Sequence, residues 1–391
     1  MHDVTLPMRE ISVYIHFPWC QRKCPYCDFA TQPGQSDSIP HEAYADQVIK
    51  ELSWRSDDLR DQKLVSIFLG GGTPSLWAAP SIARVLKSIR STFRHSADEV
   101  EVTVECNPIS LRRDWLQEVA DAGVNRASIG VQSTRDEDLR FLGRLHDSSR
   151  AAEAIQLGSS ILDRVSADLM FGMPNQSTAS LLDGIDQLID LGVKHVSAYS
   201  LTVEPATRFG TLQRAGKLKL ASEDEFATLF LKAREQFARR GFEHYEVSNY
   251  ATAGETSRHN QHYWRGGTYL GLGAAAVGCL PQGPGQARRY RNVPTPRRYL
   301  EAGLHKELIE ESNEDLSPQD LIREALMLGL RTQEGVNLDI TERRAGVEVI
   351  RGRESSWERR VKSGDLVVAN QVATVPRHRW LHLDSIVADL F

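Results

Sequence analysis

Six short apolar stretches in the first two-thirds of the chain alternate with helical patterns, and this alternation most restricts how the chain can fold. The strand candidates are Ile11–His16, Val65–Gly70, Glu99–Glu105, Arg126–Gln132, Val165–Phe171 and His195–Leu201. Between them lie helical patterns such as His41–Trp54, Ala79–Phe93, Leu111–Ala122 and Ala179–Leu191. Repeated strand–helix–strand units of this length predict an α/β fold with a parallel sheet and helices outside it. Gly123, Gly192 and Gly241 each follow a helical stretch, where a left-handed cap suits glycine.

The strands alternate where fully buried parallel strands would be uniformly apolar. In the third, Val100, Val102 and Val104 share one face while Glu101, Thr103 and Glu105 share the other. The same parity groups Ser12, Tyr14 and His16, then Ser128, Gly130 and Gln132, then Ser166 and Asp168. A sheet with one polar face curls around a ligand, so a partial (β/α)6 barrel with an occupied polar lumen is expected. An open doubly wound sheet is the alternative, and it would not need an acidic inner face.

Residues 1–280 are assigned to this barrel and an extension. Residues 281–300, rich in Pro, Gly and Arg, are expected to connect it to a smaller C-terminal α/β domain at 301–391, where "DLIREALMLGLRT" is an amphipathic helix. The net charge of −5 gives no reason to expect a nucleic-acid partner. No apolar run spans a bilayer, and "MHDVTLPMRE" lacks the layout of a secretory signal. A cytoplasmic protein with reduced thiols is expected.

Cys20, Cys24 and Cys27 form CxxxCxxC directly after the first strand, at the rim where barrel chemistry is placed. Thiolates hold iron–sulfur clusters, and three of them on a cubane leave one iron open. The competing reading is a tetrahedral zinc site completed by His16. Elsewhere, Gly71, Gly72 and Thr73 end the second strand, where the backbone can come close to a ligand or simply turn. Cys106 and Cys279 are expected to be buried, as free cysteines commonly are.

CxxxCxxC after a first barrel strand resembles the signature of radical S-adenosylmethionine (SAM) proteins. The ordered segments "YIHFPWC", "GGGTPS", "VECNP", "GVQS", "DLMFGMP" and "YEVSNYA" extend the likeness to the oxygen-independent coproporphyrinogen III oxidase group. That resemblance implies a [4Fe-4S] cluster on Cys20, Cys24 and Cys27, with SAM chelated at the open iron and cleaved to a 5′-deoxyadenosyl radical. It assigns Tyr14, Tyr26, Gly71, Gly72, Thr73, Glu105, Gln132, Arg144 and Asp168 to SAM, with Tyr26 at a position that contacts a second SAM in the oxidases. The chemistry is sensible: carboxylates accept from ribose hydroxyls and an arginine clamps a carboxylate. Surface solvation of Arg144 and plain packing of Tyr14 remain the bland alternatives.

Three features separate the chain from the oxidases. They carry CxxxCxxCxC, and Phe29 occupies the last cysteine position here. They have a long extension before the first strand, which here begins near Ile11. Finally, "SRHNQHYW" (Ser257–Trp264) carries an HNQ-type motif that resembles the heme chaperone branch, HemW. The resemblance implies a protein that binds heme and passes it to acceptor hemoproteins, without coproporphyrinogen III oxidase activity. His259, Asn260 and Gln261 are the heme candidates, since imidazole is a standard axial ligand, and Tyr263 or Trp264 could stack on a porphyrin. His262 has a structural hydrogen bond as its simpler role. Arg288, Arg289, Arg291, Arg297 and Arg298 could meet propionates or stay solvated. An electron donor for the cluster is implied. Peripheral membrane association and a homodimer stay open, as do propionate decarboxylation, another radical SAM reaction on a tetrapyrrole, and a zinc scaffold.

Overall fold

The computed structural model describes residues 10–96 and 99–391; most of the N-terminal decapeptide discussed above lies outside them. Six parallel strands, β1 (Glu10–Phe17), β2 (Lys63–Gly71), β3 (Glu101–Cys106), β4 (Arg126–Gln132), β5 (Arg164–Phe171) and β6 (His195–Ser200), lie side by side in chain order. Five helices connect or follow them on the outside: α1 (His41–Arg55), α2 (Ala79–Thr92), α3 (Arg113–Asp121), α4 (Ser148–Ser159) and α5 (Thr178–Asp190). Sequential order with no reversal point excludes the doubly wound sheet, whose strand order reverses at its ligand crevice. The six units form a partial (β/α)6 barrel, and the strand bounds expected from periodicity hold to within about two residues.

The sheet continues past both edges of the barrel. After α6 (Glu223–Arg239), β7 (Glu243–Glu246) and β8 (Asn249–Ala251) add antiparallel strands beyond β6. On the other side β9 (Thr268–Leu272) pairs parallel to β1, followed by antiparallel β10 (Val277–Gly283), β11 (Gln286–Asn292) and β12 (Glu310–Leu316). The order of the 12 strands is β12-β11-β10-β9-β1-β2-β3-β4-β5-β6-β8-β7. Between β8 and β9 runs α7 (Arg258–Trp264), the HNQ segment.

The alternation on β3 has its expected consequence. Val102 and Val104 are fully buried against the helical layer, each contributing about 1.5–3 kcal/mol by burial, while Glu105 faces the lumen. Gly123, Gly192 and Gly241 adopt φ of 104°, 89° and 80°, the left-handed caps expected of them.

The stretch expected to connect two domains is regular secondary structure. Pro-, Gly- and Arg-rich residues 281–300 hold most of the β10–β11 hairpin, in the main sheet, and a helix at Pro296–Glu301. Arg288, Arg289 and Arg291 are interspersed with buried Ala287, Tyr290 and Asn292, so the run is a half-covered strand. A second hydrophobic cluster packs on this hairpin: Cys279 and Ala287 join Leu321, Leu326, Trp357, Trp380 and Ile386. Its elements are α8 (Pro318–Gly329), capped by Ser317 and Asp320, further short helices and a three-stranded sheet. No helix among the described residues is long and apolar enough to cross a membrane.

Candidate functional site

The loop after β1 folds back on itself at the C-terminal rim. Gly34 N donates to Cys20 O at 2.8 Å and Gln32 N to Pro18 O at 2.9 Å. A tight turn, Cys27 N to Cys24 O at 3.2 Å, brings two of the thiols together. Gly72 N and Thr73 N donate to Phe17 O and Trp19 O at 2.7 and 2.8 Å, binding the "GGGTPS" turn to the cysteine loop. A Cβ on Gly72 would stand 2.5 Å from Trp19 O, so only glycine permits this approach. The three thiols are free, partly exposed and line one cavity. Burial raises the Cys20 and Cys27 thiols above their ordinary range, and the neighbouring cysteines add to it.

The zinc reading loses its fourth ligand. His16 Nε2 donates to Ala30 O at 3.1 Å, because a carbonyl can only accept, and Nδ1 accepts from Tyr14 OH at 3.0 Å. Both ring nitrogens are engaged. Among the described residues no three His, Cys, Asp or Glu side chains gather closely enough to share a single metal ion. Three thiols around a rim suit a multinuclear cluster better.

Below the thiols lies a cavity of about 330 Å³. Its wall brings together Tyr26, Gly71, Gly72, Thr73, Glu105, Gln132, Arg144 and Asp168, eight of the nine positions assigned to SAM by resemblance. Tyr14 stands just behind, stacked on Phe68 with centroids 6.2 Å apart. Arg144 is no solvated surface group: it donates to Gly130 O at 2.8 Å and lies 3.7 Å from Cys24 Sγ. Its Nε is buried without a partner among the described residues. Gln132 adopts φ 69° at the end of β4, an uncommon conformation for a non-glycine residue in a strand.

Two carboxyls face this space. Glu105 Oε2 accepts from Gly71 N at 3.1 Å, and Asp168 Oδ1 from Ser128 Oγ at 3.1 Å. Burial and the nearby Asp168 push Glu105 up to about 8, against the Gly71 amide; burial pushes Asp168 up to about 6. Both carboxyls are short of donors, as a site for a hydroxyl-rich, cationic ligand should be. The orphaned Arg144 Nε, likewise, leaves a donor for a ligand carboxylate. The residues present therefore fit an iron–sulfur cluster at the rim with SAM beneath it.

A pH dependence follows for the ligand-free protein. Folded Glu105 holds its proton more tightly than the unfolded chain, whose ordinary value is 4.5. Its contribution to stability is complete below about 4.5 and is lost as pH rises through about 8. Urea midpoints measured across pH 5–9 should fall over that window, and Glu105→Gln should flatten the fall. An unchanged slope in the variant would remove Glu105 as its source.

The HNQ helix closes the opposite end of the barrel. Ser257 caps α7, and buried Glu101 accepts from Arg258 N at 3.1 Å, His259 N at 3.0 Å and Arg164 at 2.7 Å. Burial would raise the Glu101 carboxyl, but Arg126, Arg164 and the two amides hold it below its ordinary range. The heme candidates do not converge. His259 is buried, its Nδ1 2.9 Å from Ser66 Oγ and its ring 4.9 Å from that of Phe68, and burial takes it down to about 3. Asn260 lines the cavity below the thiols, whereas Gln261 lines a separate one with Tyr245 and Glu334. Successive helical residues point about 100° apart, so three in a row cannot share a face.

Trp264 is buried beside Tyr245, and Tyr263 meets Tyr269 edge-on at 5.1 Å. His262 donates to Thr268 O at 2.8 Å, the structural role expected of it. Cys106 and Cys279 are buried. Arg288, Arg289 and Arg297 pair with Glu310, Glu314 and Glu301 outside the lumen.

Sequence reasoning missed Asn107, Arg126, Ser197 and Tyr199, which line the same cavity. The signal for Arg126 was present, because it shares lumen parity with Ser128, Gly130 and Gln132.

Residues 14–203 match the family model of the radical SAM superfamily. The heme chaperone HemW of Haemophilus influenzae is 38% identical over 308 residues, 78% of each chain. HemW of Escherichia coli is 37% identical over 76% of this chain and 79% of its own. The coproporphyrinogen III oxidase HemN of E. coli, a radical SAM enzyme, superposes with a TM-score of 0.80 at 20% identity, covering 99% of this chain and 91% of its own, a likeness of fold.

Proposed function

The chain belongs to the radical SAM superfamily, in the family of the heme chaperone HemW, and from this premise we propose that it binds heme and delivers it to acceptor hemoproteins. The observation that carries this reading is identity of 37–38% over more than three-quarters of both chains. Phe29 supports it. By the resemblance above, the oxidases carry a cysteine there, and here an apolar ring stands 59% exposed at the cavity.

Family membership implies a [4Fe-4S] cluster and SAM. Cys20, Cys24 and Cys27 would hold the cluster. Glu105 and Asp168 would accept from hydroxyls, Arg144 would clamp a carboxylate, and the Gly71–Thr73 backbone would border the ligand. Bound there, the cluster would supply one-electron reduction of the sulfonium. A soluble cytoplasmic setting and an electron donor for the cluster belong to the same reading.

One experiment separates this from the oxidase alternative that the HemN-like fold brings forward. The protein is reconstituted without oxygen, and heme and coproporphyrinogen III are offered to separate samples with SAM. Stable heme absorption with no vinyl product is expected. Conversion of coproporphyrinogen III with consumption of SAM would overturn the chaperone reading.

A further inference from the structure

Arg126 opens β4 at the floor of the cavity, is 3% exposed and lines the open space. Among the described residues its guanidinium makes no hydrogen bond and no ion pair within 4 Å. One strand away, Arg164 reaches Glu101 at 2.7 Å, Glu255 at 3.1 Å and Thr256 O at 2.8 Å. An arginine carries five N–H donors, and those of Arg126 open onto the cavity, where a ligand can supply acceptors. The fixed carboxylates nearby do not supply those acceptors. Glu101 is taken up by Arg164 and the start of α7, and Asp168 accepts from Ser128.

Asn260 is the one HNQ residue that reaches this cavity, and its side chain also has no partner among the described residues. A planar fork beside an amide donor matches a carboxylate. The charges of Glu101 and Asp168 disfavour a dianion in the same place, so a monoanionic carboxylate fits better than a phosphate. Phe68, level with Arg126 through Thr103 and 4.9 Å from the ring of His259, gives this polar floor an aromatic wall. Arg126 and Gln132 stand at opposite ends of β4, roughly 20 Å apart along the strand. The floor is therefore separate from the Gln132 and Arg144 end.

We propose that Arg126 and Asn260 form a carboxylate subsite that receives a propionate of heme. The assignment rests on the heme-binding reading above and adds where the cargo is gripped. It also gives the HNQ helix a role that buried His259 does not supply.

The test uses the full chain, reconstituted without oxygen, titrated with heme and with heme dimethyl ester and followed in the Soret band. The diester has the same macrocycle with both carboxylates blocked. Heme should bind about 10- to 100-fold more tightly, the range for a charge-assisted hydrogen-bonded pair. Arg126→Gln and Asn260→Ala should each reduce that ratio while leaving diester affinity nearly unchanged, with melting curves run alongside. Asn260→Ala removes no buried charge and keeps the test valid if Arg126→Gln fails to fold. Equal binding of heme and diester by the unmodified protein, or full preference retained in Asn260→Ala, would overturn the subsite. Absence of uptake of either compound would instead sink the heme-binding reading itself.

Discussion

Cys24→Ser protein, reconstituted anaerobically with iron and sulfide, is expected to hold no iron–sulfur cluster. Its iron and sulfide should fall from about four of each per chain to background, with loss of the visible charge-transfer absorption. Cys24 sits at the centre of the arrangement: its carbonyl accepts from Cys27 N, and Arg144 lies 3.7 Å from its sulfur. A serine hydroxyl is a harder and far less acidic donor than a thiol, and two remaining thiolates hold a cubane poorly. The fold should survive, because Cys24 lies on a partly exposed rim outside the hydrophobic clusters. Far-UV dichroism should therefore match the unmodified protein. A Cys24→Ser variant with full iron and sulfide would refute the assignment, and stoichiometric zinc in the unmodified protein would restore the reading rejected on His16.

Glu101→Ala should destabilise the protein by about 3–5 kcal/mol, the usual cost of removing one partner from a buried ion pair. Glu101 is 1% exposed and accepts from Arg164, from two backbone amides that start α7, and from Ser257 Oγ at 3.4 Å. Truncation leaves Arg164 facing Arg126 with less compensation and frees the first turn of the helix that closes the barrel floor. Glu101→Gln should be milder, since its amide oxygen still accepts from backbone N–H groups. The difference would be measured from urea unfolding midpoints, with exchange of the Arg258 and His259 amides reporting release of the helix. A loss below about 1 kcal/mol in Glu101→Ala would mean that the floor is held by packing alone.

Strand parity made much of the site legible. Glu105, Gln132 and Asp168 were placed on the lumen because side chains alternate with a period of two, and all three line the cavity. Arg126 shares that parity and went unremarked, because parity gives a face and says nothing of whether partners wait there. The arginine-rich stretch at 286–292 misled for a related reason. Gly and Pro at its start mark a turn, and its strand character depends on burying Ala287 against elements about 30 residues later and Tyr290 against Arg55 and Gly271, far earlier in the chain.

By itself, then, the sequence determined the βα alternation, the polar lumen and the three-thiol loop, since each is written in local spacing. Tertiary structure alone decided that His16 is engaged at both nitrogens, that the HNQ residues part company, and that Arg126 makes no hydrogen bond among the described residues. Those outcomes depend on closure of the barrel, which sets the His259 amide against Glu101 across 158 residues of chain. Periodicity fixes which way a side chain points. Only closure fixes what it meets.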